Sequence, residues 1–235
     1  MMRKLRNVKK MRGPMIVLVI MLSIGLVGSF TLMGGLGGQQ LPDASADPNL
    51  SPEEQMAFFE GLLEEYNAKL TEDPDDQEAI GALAEIHWNL AGLYEDQEKQ
   101  KEEMNNSLGF YQRLVELNSD NVNLITQTAV VAHSAGNDEL AREHFNKALE
   151  LDENNVNALA NYGVYLMNSE GDFDGALTQF GKALEQDIND EAKEQLETFV
   201  TFANQMIEAL EEDSDTEADT EADTEADTEA EEESN

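Results

Sequence analysis

The chain repeats itself, and the repeat has a fixed length. Displaced by 35 residues, Gly136 falls on Gly171, Ala141 on Ala176, Phe145 on Phe180, and Asp152 on Asp187. Lys147-Ala148-Leu149 falls likewise on Lys182-Ala183-Leu184. The segments just before match at 34 residues, Ile125 on Leu159 and Ala129 on Gly163, so one extra residue stands ahead of Gly171. A period of this size confines a chain to few architectures, because each unit is a hairpin that buries its apolar face only against its neighbours. In each copy, Ala, Phe, Ala and Leu at steps of 4, 3 and 1 form one stripe along a helix. Gly136-Asn137 and Gly171-Asp172 stand where the first helix stops and the chain turns, a place that favours residues tolerant of positive φ. Residues 122–155 and 156–190 therefore read as two α-hairpins stacked in series.

The pattern continues less regularly on both sides. Ser51-Pro52-Glu53-Glu54 has the form of a capping box with proline in the first turn, opening a helix to about Thr71. Tyr66, Leu70 and Asp73 of that helix match Phe145, Leu149 and Asp152, so it reads as the second half of a hairpin. Gln77 to about Asp96 and Lys101 to Leu117 read as a stretched unit without a glycine turn. There Trp88, Gly92 and Tyr94 align with Leu159, Gly163 and Tyr165, and Ser107, Tyr111 and Leu117 align with Ala141, Phe145 and Leu151. From Glu191 to about Leu210 one more helix sets Leu196, Phe199, Val200, Ala203, Met206 and Leu210 on one side, suited to cover the open end of a stack. The repeat region thus spans residues 51–210.

The segment NALANYGVYLMNSEGDFDGALTQFGKALEQD resembles a tetratricopeptide repeat (TPR). Gly163 holds the small-residue position of the first helix, Gly-Asp-Phe-Asp forms the turn, and Ala176, Phe180 and Ala183 hold the Ala, aromatic and Ala positions of the second. Leu159 stands in place of the usual Trp, Ile188 in place of the closing Pro, and Tyr162-Gly163 in place of Leu-Gly. The resemblance implies an all-α, TPR-like α-hairpin stack (an α-solenoid) used as a binding surface. It further implies that the ligand meets the inner face of each first helix. Those residues are Asn123, Thr126, Gln127, Val130 and His133 in one unit, and Asn157, Asn161, Val164, Met167 and Asn168 in the next. That face carries amides and small apolar groups and no Lys or Arg. Amides donate and accept at once, as a peptide backbone requires. Without cations the face lacks the means to clamp a terminal carboxylate, so a neutral or basic extended segment is the expected partner.

The two ends of the chain differ sharply in charge. Six of the 14 Lys/Arg lie in the first 12 residues, which leaves eight against 50 Asp/Glu in the remainder. A surface of that sign repels phosphate backbones, so nucleic acid is excluded as a partner. Behind the basic head, Met15 to Met33 is an uncharged apolar run of 19 residues. As a helix it would reach about 28 Å, against roughly 30 Å for the hydrocarbon core of a bilayer. Residues 1–33 therefore read as a basic head and a transmembrane signal anchor. The basic side would stay in the cytoplasm and the repeat domain would lie outside, as in a single-pass membrane protein. Ala44-Ser45-Ala46 has the small-x-small form of a cleavage site, whereas the length of the apolar run favours a retained anchor. Residues 34–50, rich in Gly, Pro, Ala and Asp, read as a flexible linker. Residues 211–235, with four copies of Asp-Thr-Glu-Ala and 14 carboxylates, read as a disordered acidic tail. Its acidic positions fail as a calcium loop, with Ala218 where the sharp-turn Gly belongs.

Catalytic patterns are scarce. The chain has no cysteine, hence no disulfide, thiolate metal site or thiol nucleophile. Gly34-Gly35-Leu36-Gly37-Gly38 lacks the Lys-Ser/Thr ending of a phosphate-binding loop. The histidines are His87, His133 and His144, in no metal-ligand spacing. The expectation is a membrane-tethered scaffold for protein–protein interaction, with no enzymatic activity, cofactor or metal. Two alternatives stand beside it. One resembles the anchored, repeat-bearing accessory subunits of cytochrome c maturation, and the other is a metal-dependent enzyme using His133 and His144.

Overall fold

The structure is a computed structural model that describes residues 50–232, with side chains through residue 211. The described residues form α1 (Pro52–Glu72), α2 (Gln77–Leu93), α3 (Gln97–Leu117), α4 (Val122–Ser134) and α5 (Asp138–Leu151). They continue with α6 (Val156–Tyr165), a π turn (Leu166–Glu170), α7 (Phe173–Leu184) and α8 (Asp190–Glu232), and they contain no strand.

Each start has a local cause. At α1 the Ser51 hydroxyl accepts from the Glu54 N–H at 3.3 Å, and the Glu54 carboxylate accepts from the Ser51 N–H at 2.8 Å. Asp76, Asp96, Asn121, Asn137, Asn155 and Asp172 cap the next six helices by accepting N–H groups that have no partner inside the helix. Gly136 (φ 80°) follows α4 and Gly171 (φ 61°) follows the π turn, both in the left-handed region that a side chain resists. The π turn absorbs the residue inserted ahead of Gly171.

Three hairpins, α2–α3, α4–α5 and α6–α7, stack in sequence, with α1 leaning on α2 and α8 on α7. One apolar seam runs from Ile80 to Ala203 through all three, and a second joins Phe59 and Tyr66 of α1 to Leu83, Ile86 and Leu90 of α2. Counting from the caps exposes the common plan. Ile80, Ile125 and Leu159, four residues past Asp76, Asn121 and Asn155, are each 0% exposed. Eight past the caps come Ala84, Ala129 and Gly163, all small and buried, where the two helices of a hairpin approach most closely. A Cβ on Gly163 would overlap the Phe180 ring.

This count corrects the alignment of the stretched unit. The small residue facing the second helix is Ala84, whose carbonyl accepts the buried Ser107 hydroxyl at 2.7 Å, and not Gly92. Gly92 is exposed, and a Cβ there would meet nothing within 4 Å. The second helix also begins at Gln97 instead of Lys101, because Asp96 caps it.

Two expectations about the ends are likewise corrected. The tail was expected to be disordered, yet its backbone continues α8 as a helix to Glu232. From Lys182 to the end there is neither Gly nor Pro, and the repeated Glu and Ala are good helix formers, so local propensity carries the backbone on. The localisation as a single-pass membrane protein with an extracytoplasmic body does not hold: among the described residues no helix is long and apolar enough to cross a membrane. The two helices without Asp, Glu, Lys or Arg, α4 and α6, are only 13 and 10 residues long, and the others carry charges along their length. The run Met15–Met33, the basic head and Ala46, on which that localisation rested, lie outside the described residues.

Candidate functional site

First helices α4 and α6 pack directly on one another, whereas α5 and α7 make no comparable contact. At this junction the first helices lie on the inner side, whereas at the preceding one α4 packs on α3 and makes no comparable contact with α2. The ten residues expected there divide by depth. Asn123 and Asn168 are exposed, and Gln127, His133 and Asn157 are half-buried. Thr126, Val130, Asn161, Val164 and Met167 are buried. The Thr126 hydroxyl donates to the Val122 carbonyl at 2.8 Å, and the Asn161 amide donates to the Asn157 carbonyl at 2.8 Å. The polar side chains of this set that remain at least partly accessible are thus Asn123, Gln127, His133, Asn157 and Asn168.

The corrected count adds residues that the earlier alignment hides. Nine past the caps stand Glu85, Val130 and Val164, so Glu85 occupies the row of two expected groove residues. Its half-buried carboxyl is pushed above the usual carboxylate range by burial. On α3, Tyr111, whose ring is 3% exposed, fills the place of Phe145 and Phe180 in the other hairpins. Burial raises the Tyr111 phenol first and the negative charge of Glu85 second, opposed by a hydrogen bond with the Gln127 side chain. Tyr111 thus links α3 to α4 through Gln127, at the α3–α4 contact. The signal that would have found Glu85 is the Asp76 cap, from which the row can be counted.

At the other edge lies a second polar group. His133 Nδ1 is 3.0 Å from Asp138 Oδ1 and 3.1 Å from Ser169 Oγ, and its ring meets Tyr165 edge-on at 5.3 Å. The Tyr165 hydroxyl donates to the Asp138 carbonyl at 3.0 Å and also bonds Arg142. Burial raises the Tyr165 phenol. Arg142 Nη2 lies 2.8 Å from Glu170 Oε1 as an ion pair. A Ser-His-Asp relay needs the hydroxyl and the carboxylate on opposite ring nitrogens. Here both share Nδ1 and compete for it. His144 turns its Nδ1 to the Leu140 carbonyl of its own helix, and burial lowers its pKa, which favours the neutral ring. Among the described residues no three His, Asp or Glu side chains are grouped as metal ligands. The geometry joins α4, α5 and the π turn structurally.

The fold is that of the tetratricopeptide repeat. Among solved structures the chain is similar to TTC0263, a thermophilic TPR protein of Thermus thermophilus, at 19% identity and a TM-score of 0.53, covering 79% of this chain and 97% of that one. It is also similar to MamA, at 19% identity and a TM-score of 0.34, over 58% of this chain and 94% of that one. No family model matches the sequence, and no curated protein matches it. At this identity the likeness is one of fold.

Proposed function

We propose that the protein is an interaction scaffold whose inner face, built by α4 and α6, holds an extended neutral or basic segment of a partner protein. One observation carries this reading. The eight Lys/Arg of the described residues all lie on α1, α3, α5, α7 and α8, and none lies on α2, α4 or α6. Against 35 Asp/Glu between residues 50 and 211, such cations as exist are kept off the inner face. Asn123, Gln127 and Asn157 offer paired donors and acceptors to a backbone, and Val130 and Val164 provide apolar ground between them. The edge groups His133 and Asn168 bound the face on the side of the π turn.

The test is partner capture by the full chain compared with a Gln127→Lys/Asn157→Lys variant. Both positions are half-buried and polar, so the substitutions reach the face without emptying the core. The expected result is loss of the captured proteins with helicity unchanged. Equal capture by the variant sinks the proposal.

A further inference from the structure

We infer that the cleft between the N-terminal turns of α3 and the end of α4 takes an aspartate or glutamate side chain of a partner peptide, with Lys101 as its counter-ion. The cleft lies apart from the face built by α4 and α6 and does not depend on it.

Its origin is the place where the first hairpin is longer. From the central ring, α3 runs 14 residues before Tyr111 and 6 after it, whereas α5 runs 7 before Phe145 and 6 after it. The whole difference lies at the N-terminal end of α3, about 10 Å of added helix. Nothing in α5 corresponds to these turns. With Gln97, Gln100, Lys101 and Met104 they form one wall of a cleft of about 320 Å³, open to solvent, so that a chain can pass across it. The other wall is Ser134, Ala135 and Gly136, where α4 ends. The first wall is held in place: Gln100 Nε2 donates to the Tyr94 carbonyl at 2.6 Å, and Glu103 Oε2 lies 2.5 Å from His87 Nδ1 of α2.

Charge selects the ligand. Between residues 50 and 211 the chain has 35 Asp/Glu against eight Lys/Arg, yet the cleft is lined by one cation and no acid. Lys69, Arg113, Arg142 and Lys193 are engaged in ion pairs, and Lys99 lies over the Tyr94 ring. Among the described residues no carboxylate pairs with Lys101, and Glu103 on the same helix is turned to His87. An ammonium so placed makes a charge-assisted bond with a carboxylate that a ligand brings. The Gln97 amide and the Ser134 hydroxyl are further donors for its oxygens, while Met104 and Ala135 give apolar ground to its methylene groups. The acidity of the rest of the molecule opposes approach from afar, but physiological salt confines that field to about 8 Å.

Random heptapeptides displayed on phage and selected on the immobilised full chain at physiological salt provide the test. Peptides fused through their C-terminus show no terminal carboxylate, so an anion they bring is a side chain. Lys101→Gln removes the charge from the cleft, and Lys182→Gln, at an exposed position on α7, makes the same change in net charge elsewhere. The expected result is enrichment of Asp or Glu at one peptide position. A synthetic, C-terminally amidated peptide from that pool should bind Lys101→Gln roughly tenfold or more weakly, as for loss of a charge-assisted bond, and bind Lys182→Gln as it binds the unaltered chain. A pool without acidic enrichment, a selection that enriches nothing, or equal affinity for the two variants overturns the cleft. The Gln127→Lys/Asn157→Lys variant separates the two sites. A peptide held in the cleft keeps its affinity there, whereas one lost with that variant and indifferent to Lys101→Gln belongs to the face of α4 and α6 and retires the cleft alone.

Discussion

The first and third hairpins meet one packing requirement with different residues. In α6–α7, Gly163 lets the Phe180 ring press on the helix backbone, and Val164 beside it closes the inner face with apolar surface. In α2–α3, Ala84 and Tyr111 take those places, a hydroxyl is added at the ring tip, and Glu85 replaces the valine. Spacing differs too, with 45 residues from cap Asp76 to cap Asn121 and 34 from Asn121 to Asn155. The core count from the cap nevertheless stays the same. An aromatic ring at the centre of the hairpin is thus a structural constant, and the groups at its tip are free to set the chemistry of the face.

The comparison is broken most forcefully at the ring itself. Phe180 is 0% exposed and stacks on Phe199 at 5.3 Å with planes 12° apart, which ties the last hairpin to α8. Phe180→Ala should cost about 3–5 kcal/mol, read as a lower urea midpoint. Tyr111→Phe, which leaves the ring in place, should change the midpoint far less. Equal losses would show that the ring is not the shared element.

A sharper contrast concerns glycine. Gly163→Ala should destabilise by about 1–3 kcal/mol through overpacking, since the ring it meets is confined on its far side by Phe199. Gly92→Ala should stabilise by up to about 1 kcal/mol, because the site is open and alanine is the better helix former. The two substitutions are chemically identical, so thermal melts of opposite sign would fix the register of the first hairpin. A loss at Gly92 would restore the discarded alignment.

Much of this arrangement was legible in the sequence, and the failures have physical reasons. The period, the turns at Gly136 and Gly171 and the apolar stripes through Phe145 and Phe180 follow from helix geometry. The first hairpin misleads because its added length is spread over both helices, 17 residues in α2 against 13 in α4, and 21 in α3 against 14 in α5. With no long loop to mark the insertion, Gly92 looks like the close-approach glycine, while Ala84 serves in that role. Amphipathicity assigns Thr126 and Asn161 to the side of their helices where the groove was expected, yet both are buried. Their depth depends on how tightly α4 meets α6, which a single helix does not encode. The acidic tail shows the reverse, since a composition too polar for a core still favours a helical backbone.

The smallest effect tests what Glu85 costs the fold when no ligand is bound. Burial raises its carboxyl in the folded protein above the unfolded value, so folding favours the protonated form. Stability from this group is therefore fully present below the ordinary carboxylate range and is lost as pH rises through the raised folded value. Glu85→Gln, which cannot ionise, should match the unaltered chain in acid and melt higher at neutral pH, the gap opening across the carboxylate titration. The third hairpin supplies the contrast, because Val164 in the same row has nothing to titrate. A gap that widens toward low pH would mean that the ionised Glu85 stabilises the free protein through a partner within the chain.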